Sequence, residues 1–464
     1  MLFSNQTYTD RRTALQQQLS SGLLLFMGNN NVGMNYAANT YHFRQDSTFL
    51  YFFGIDRAGL AATIDLDKQQ VTIYGDEHTM EDVVWEGAHP SLRDLAAQVG
   101  VAKVQPTADL AKAIEKAKAS DQPIHYLPPY RDDNKIKLHT WLEIPFSELK
   151  TRASVPFIKA VVKLRSIKSS EEIAEMERAL GVTRAMHHAA MSATKAGKTE
   201  AEITGIARGI SVSFEGDLAY PIILSKDGQT LHNHSHANRL ASGQLVLADM
   251  GAATKHHYAS DITRTWPVDP KFTQQQREIY EIVLKAEVDS IHACRPGVAY
   301  RDVHLGAARI IMNGLKDLGI MKGDTETAVN EGAHALFFPH GLGHHIGLDV
   351  HDMEDLGENY VGYSDTIKRS ELFGTAYLRL GRELETGFVI TVEPGIYFIP
   401  QLIDQWQAAG KFSQYINYDK LAAYRNFGGI RIEDNILITE GGQQILGKKI
   451  AKSVEEIEGM RQSC

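Results

Sequence analysis

Apolar positions along the first 150 residues fall into short runs that switch between two periods. The run LLLFM at 23–27, entered from Gly22 and left at Gly28, is continuous and reads as a buried strand. Residues 60–77 (LAATIDLDKQQVTIYGDE) split into two apolar stretches around a polar turn at Asp67–Gln70, which predicts two strands. Leu92–Val99 and the Ala/Lys-rich segment 107–119 carry helical spacing instead. Strands alternating with helices predict an α/β domain. A Pro-containing stretch at Leu127–Pro129 and a polar run at Arg131–Lys137 mark the approach to its end.

A second region opens at Ser169, which has capping-box spacing to Glu172, with Ile173, Met176, Leu180 and Thr183 following at helical intervals. The expected organisation is a small α/β domain over 1–155, a linker over 155–170 and a larger domain over 165–460. In the larger part, long helical patterns at 273–293 and 301–318 are mixed with strand-like runs, without a doubly wound repeat. Paired strands carrying acidic residues in both halves hint at a duplicated α/β unit. The fold class read from these patterns is α/β (α+β) in two domains.

A length of 464 residues is too long for one ordinary core and fits this division. Apolar residues at 43% and charged residues at 23% are ordinary for a globular protein. The 48 basic against 57 acidic residues leave a net charge of −9, which argues against nucleic acid or an anionic membrane as the main partner. Two cysteines, Cys294 and Cys464, exclude a disulfide framework and favour a reducing, cytoplasmic setting. LLLFM is too short for a signal peptide, and no apolar stretch is long enough to span a membrane.

Chemistry concentrates on four segments. Asp249 ends LVLAD and Asp261 begins DITRTWPV, 12 residues later, with Gly251 between them. That spacing suits an antiparallel hairpin that brings both carboxylates to one end of a sheet. The plainer alternative is a pair of turn aspartates. Glu393 follows FVITV, and Glu433 lies in GGIRIEDNILI, where alternation puts Arg431, Glu433 and Asn435 on one face. A surface Glu433 paired with Arg431 is the plainer alternative there. The segment from His340 to His351 (HGLGHHIGLDVH) holds His344, and Gly341 and Gly343 permit close backbone approach, with strand-like apolar positions at Ile346, Leu348 and Val350. A solvated loop is its alternative. The histidines at 232, 234, 236, 256 and 257 are less specific. Carboxylates crowded into an apolar pocket repel one another and lose hydration, so convergence of these segments would require cations. Oxygen and imidazole ligands suit Mn²⁺, Co²⁺, Fe²⁺ or Zn²⁺. Two such ions side by side would activate a water and polarise a carbonyl, which is hydrolytic chemistry.

The stretches LADMG, SDITRTWPV, PHGLGHHIGLDVHD, TVEPGIY and GGIRIEDN together resemble the pita-bread metallopeptidases, the superfamily of methionine aminopeptidase, aminopeptidase P and prolidase, over about 165–460. The resemblance implies two divalent ions, expected to be Mn²⁺, held by Asp249, Asp261, His344, Glu393 and Glu433, with Asp261 bridging. It places His351 and His340 at the substrate and the tetrahedral intermediate, His232 and Tyr220 on the substrate side, Glu393 as the proton shuttle and Arg431 in support. FRQDSTFLYFFG at 43–54 is similar to the smaller domain that aminopeptidase P and prolidase share. Both enzymes cleave the bond before proline, a tertiary amide without an N–H. Peptides with proline in second position are therefore the implied substrates, and a homodimer the implied assembly.

Between the two enzymes, the long segment after His351, with YLRLGREL at 377–384, resembles prolidases, in which an arginine grips the dipeptide carboxylate. That arginine maps to Arg379. The favoured expectation is thus an Xaa–Pro dipeptidase, with aminopeptidase P as the alternative. A non-catalytic peptide-binding scaffold is the rival from another class, and the complete ligand set speaks against it.

Overall fold

The computed structural model describes residues 3–462, so Cys464 lies outside them. The chain divides into two compact units, Met1–Arg165 with Met353–Val361, and Ser166–Asp352 with Gly362–Cys464.

The smaller unit is built on a mixed five-stranded sheet. Its strands are β1 (Leu23–Met27), β2 (Ala61–Asp65), β3 (Gln70–Tyr74), β4 (Lys103–Gln105) and β5 (Ile124–Tyr126), in the order β4-β3-β2-β1-β5. LLLFM is the buried strand its run implied, pairing antiparallel with β2 from Leu23↔Asp65 to Met27↔Ala61. The expected helices appear at Leu92–Gln98 and Ala108–Ala119. FRQDSTFLYFFG contains the helix Ser47–Phe53, capped where Asp46 accepts from the Phe49 N–H at 2.8 Å. It ends at Gly54 (φ 60°), where a Cβ would meet the Tyr8 ring at 2.2 Å. All seven helix residues are buried, because the helix is wrapped by the sheet and its neighbours, and Phe26 meets Phe52, Phe53 and Phe157 edge-on. The polar run at 131–137 is a helix, Asp132–Leu142, and the stretch expected as linker holds the helix Val155–Ser166.

The larger unit carries ten strands in antiparallel pairings. β6 (Asp217–Leu218) pairs with β9 (Ala252–Ala253). β7 (Ile223–Ser225), β8 (Leu245–Met250) and β10 (Ile262–Pro267) form a sheet in the order β10-β8-β7. β11 (Val389–Val392), β14 (Asp434–Thr439) and β15 (Gly442–Ile445) form another, and β12 (Gly395–Tyr397) pairs with β13 (Gly429–Arg431). The helices Ser170–Ala193, Gln274–Ala293 and Tyr300–Asp317 close one large apolar core against these strands. The capping box at Ser169 and Glu172 is formed.

The segment 340–352 forms no strand. It makes a single bridge, His345↔Ile390, and otherwise runs as a loop. Gly343 lies so close to β11 that a Cβ would stand 2.1 Å from the Thr391 carbonyl oxygen, so the glycines convert a strand-like apolar pattern into a docked loop. No helix among the described residues is long and apolar enough to cross a membrane.

Candidate metal centre

The β8–β10 register sets Thr263 opposite Asp249 and Ile262 opposite Met250, so Asp261 enters beside the end of β8. Gly251 makes this possible, since a Cβ there would lie 1.7 Å from the Ser260 carbonyl oxygen. The hairpin expected from the 12-residue spacing is therefore present. The Tyr220 hydroxyl contacts both carboxylates, Asp249 Oδ1 at 2.5 Å and Asp261 Oδ1. A single O–H can donate to only one of them, a shortfall that a cation at this point would remove.

His344 is fixed by β11. Its N–H donates to Thr391 Oγ1 at 3.1 Å, and its carbonyl accepts from the Thr391 N–H at 3.0 Å. Its Nδ1 lies 2.9 Å from the His345 carbonyl oxygen, an acceptor that requires Nδ1 to carry the proton. Nε2 then presents its lone pair 3.5 Å from both Asp261 Oδ2 and Glu393 Oε1. Glu393 leaves the end of β11 with its own N–H bonded to the Leu342 carbonyl at 2.8 Å.

Glu433 sits in the short break between β13 and β14. Its N–H donates to the Thr263 carbonyl at 3.1 Å, and Thr263 Oγ1 donates to its Oε2 at 2.7 Å. Its Oε1 is buried with no hydrogen-bond partner. An orphaned carboxylate oxygen at this depth is costly without a cation. Arg431 does not pair with Glu433, as the plainer alternative had it; it donates to Asp249 Oδ2 at 2.5 Å, to Thr263 Oγ1 at 3.0 Å and to the Tyr397 hydroxyl at 2.8 Å. Asn435 completes that face by clasping the Asp261 backbone on both sides.

Asp261, His344 and Glu433 each bring a ligand atom within 4.8 Å of the others, and all three are buried. Glu393 joins through His344, and Asp249 through Tyr220 and Arg431. Burial pushes all four carboxyls upward, that of Glu393 to about 8. Mutual repulsion adds to this for Glu393 and Glu433, and the Arg431 guanidinium offsets only part of it. Acidic groups driven this far toward protonation, one with an unpartnered oxygen, fit a site for divalent cations. Such ions supply water activation and carbonyl polarisation when bound.

A cavity of about 330 Å³ opens over this cluster, lined by Tyr220, His232, His340, His351 and Arg379 beside Asp249, Asp261, His344 and Glu393. His351 stands edge-on to His344 at 4.3 Å between ring centroids. Burial lowers His232, and lowers His340 to about 3. His340 is held at both nitrogens, Nδ1 at 2.8 Å from the Gly341 carbonyl and Nε2 at 2.8 Å from the Tyr397 hydroxyl. Tyr397, Thr263 and Thr391 were not singled out from sequence, although each lies in or beside a quoted motif. Their contacts with Arg431, Glu433, His344 and His340 span 34 to 170 residues and leave no local signature.

The model of metallopeptidase family M24 matches residues 174–440, which hold all of these groups. This chain belongs to that family. As an M24 metallopeptidase it also matches the aminopeptidase P N-terminal domain, over residues 8–125. It is 34% identical over 421 residues to a probable Xaa-Pro aminopeptidase of Podospora anserina, covering 90% of this chain and 87% of the relative. A Botryotinia fuckeliana protein of the same description is 35% identical over 423 residues, covering 90% and 87%. Zinc-substituted Escherichia coli aminopeptidase P with product superposes with a TM-score of 0.80 at 28% identity, covering 100% of this chain and 99% of that one. Pseudomonas aeruginosa aminopeptidase PepP shares the fold, with a TM-score of 0.81 at 24% identity over 100% and 99%. The two-domain α/β expectation, a small aminopeptidase P-type domain followed by a pita-bread metallopeptidase domain, holds. M24 membership implies divalent metal ions.

Proposed function

We propose that this M24 metallopeptidase is an Xaa–Pro aminopeptidase, releasing the N-terminal residue from peptides with proline in second position. The observation that carries the reading is the likeness to relatives described as probable Xaa-Pro aminopeptidases over nine-tenths of the chain. It displaces the dipeptidase favoured from sequence. Arg379 lines the cavity, but a guanidinium can also donate to a peptide carbonyl, so its presence alone does not select the shorter substrate.

In this proposal Asp249, Asp261, His344, Glu393 and Glu433 hold two divalent ions, with Mn²⁺ the resident metal. Glu393 takes the proton released from the attacking water and passes it toward the proline nitrogen. His351 donates to the carbonyl oxygen as charge builds there. His232 and Tyr220 hold the substrate's N-terminal side, and Arg431 keeps Asp249 and Tyr397 in place. His340 contributes as a neutral imidazole whose orientation Tyr397 sets. A homodimeric assembly and a cytoplasmic location complete the proposal, from family resemblance and cysteine usage.

The Mn²⁺-loaded protein assayed on an Xaa–Pro dipeptide and an Xaa–Pro–Xaa tripeptide tests the reading. Turnover of the tripeptide at a kcat/KM at least ten times that of the dipeptide is expected. Turnover of the dipeptide alone would restore the dipeptidase.

A further inference from the structure

The loop from Gly343 to Asp352 carries His344 near one end and His351 near the other, and one backbone carbonyl ties the two ends. The His345 carbonyl oxygen accepts from His344 Nδ1 at 2.9 Å and from the Asp352 N–H at 3.0 Å. The orientation of the His344 ring is thereby linked to the residue that follows His351.

Asp352 is in turn held by an ion pair that the sequence did not announce. Lys168 Nζ donates to Asp352 Oδ2 at 2.9 Å, and each side chain is only 1% exposed. The other carboxylate oxygen takes the Asp349 N–H at 3.3 Å. The pair is pressed against the loop at Gly347, where a Cβ would lie 2.6 Å from Asp352 Oδ2 and 2.8 Å from Lys168 Cε. The Gly347 carbonyl accepts from the Ala259 N–H at 2.8 Å, two residues before Asp261. Lys168 is anchored through its own N–H, which donates to the Gly387 carbonyl at 2.8 Å just ahead of β11, the strand that leads into Glu393. The two residues of this buried charge pair thus bond the His344 loop and the segment leading to Glu393 directly, and reach the Asp261 segment through Gly347.

An ion pair this deep is a weak source of net stability, because taking two charges out of water offsets most of their attraction. Its geometry suits another task. Groups that hydrogen-bond a ligating side chain orient it, and their loss costs about tenfold to hundredfold in metal affinity or activity; here the pair acts one step further out, through the His345 carbonyl that bonds His344. We infer that Lys168 and Asp352 are positioning residues that set the His344 ring and the His351 end of its loop. The inference rests on His344 being a metal ligand.

The test uses full-length Lys168→Met, Asp352→Asn and the neutral double variant, each stripped of metal and titrated with Mn²⁺ by calorimetry alongside the parent and His344→Ala. Two Mn²⁺ sites in the parent and loss of one in His344→Ala establish the ligand assignment separately. In the single variants, the Mn²⁺ dissociation constant is expected to rise about tenfold to hundredfold and kcat to fall more than KM rises. The neutral double removes any lone buried charge, so its melting temperature should recover while its Mn²⁺ affinity and kcat stay low. Should the double regain both with its stability, or should Mn²⁺ affinity be unmoved in every variant that folds, the positioning role is wrong.

Discussion

Thr263 donates its hydroxyl to Oε2 of Glu433 at 2.7 Å, and the other oxygen of that carboxylate is buried without a partner. The same hydroxyl accepts from Arg431 Nε at 3.0 Å, so it relays between an arginine on Asp249 and the acid opposite. Thr263→Val keeps the shape and removes the relay. Mn²⁺ affinity and kcat/KM are expected to drop about tenfold to hundredfold, with Thr263→Ser near the parent. Calorimetry with Mn²⁺ and steady-state kinetics on a tripeptide check this. Equal affinity in both variants would show that the hydroxyl is incidental.

Metal removal should give the protein a distinctive pH dependence. The Glu393 carboxyl is raised from 4.5 to about 8, chiefly by burial. Between 4.5 and about 8 the folded state holds a proton that the unfolded chain has lost, so this stability is full below 4.5 and is lost as pH rises through about 8. The histidines lowered by burial, His187, His340 and His345 at about 3, act in the opposite sense and only below their ordinary 6.5. From pH 6.5 to 8 the carboxyl effect therefore stands alone in sign, with Glu287, also raised to about 8, adding to it. The melting temperature of metal-stripped protein should fall across this window. Glu393→Gln should show a shallower fall, and saturating Mn²⁺ should flatten it. A rising melting temperature in the stripped protein would count against the electrostatic picture.

His340 sits among the reacting groups and yet is held neutral, at about 3, by burial first and then by the Arg431 charge. With Nδ1 on the Gly341 carbonyl and Nε2 on Tyr397, it is an oriented dipole and no proton carrier at working pH. His340→Gln should lower kcat while leaving the acidic limb of the kcat/KM profile where it was. Displacement of that limb by a full unit would make His340 a titrating participant.

Asp434, the neighbour of Glu433, is a stability residue. Burial pushes its carboxyl up, but Arg264 and Lys452 outweigh that and hold it near about 2. Both donate to it at 2.6 Å, and the Arg264 guanidinium is almost wholly buried. Asp434→Ala leaves the buried Arg264 without its carboxylate, while Lys452 keeps Glu287 at 2.7 Å, and should cost about 3–5 kcal/mol in urea unfolding of the metal-free protein. A loss under about 1 kcal/mol would mean that water reaches the site.

What could be read from the chain was local. β1, the β2–β3 pair, the Ser169 capping box and the 249–261 hairpin each follow from periodicity or turn chemistry within a few residues. The five acidic and imidazole positions stood out because each sits in a short motif; Asp261, His344 and Glu433 bring ligand atoms within 4.8 Å of one another, with Glu393 beside His344 and Asp249 beside Tyr220 and Arg431. Thr263 with Glu433, His340 with Tyr397, and Lys168 with Asp352 were not, since their partners lie 170, 57 and 184 residues apart. The 340–352 loop misled the strand reading because packing of its glycines against β11 overrode apolar alternation. Arg379 alone does not decide substrate length, because one cation suits more than one oxygen ligand.

The central claim, that Asp249, Asp261, His344, Glu393 and Glu433 hold a pair of cations, is tested most directly by anomalous diffraction from crystals grown with Mn²⁺. Two peaks roughly 3.5–4 Å apart are expected, both in contact with Asp261 and one within bonding distance of His344 Nε2. A map with no peak among these residues, or with its peaks elsewhere on the chain, would contradict it.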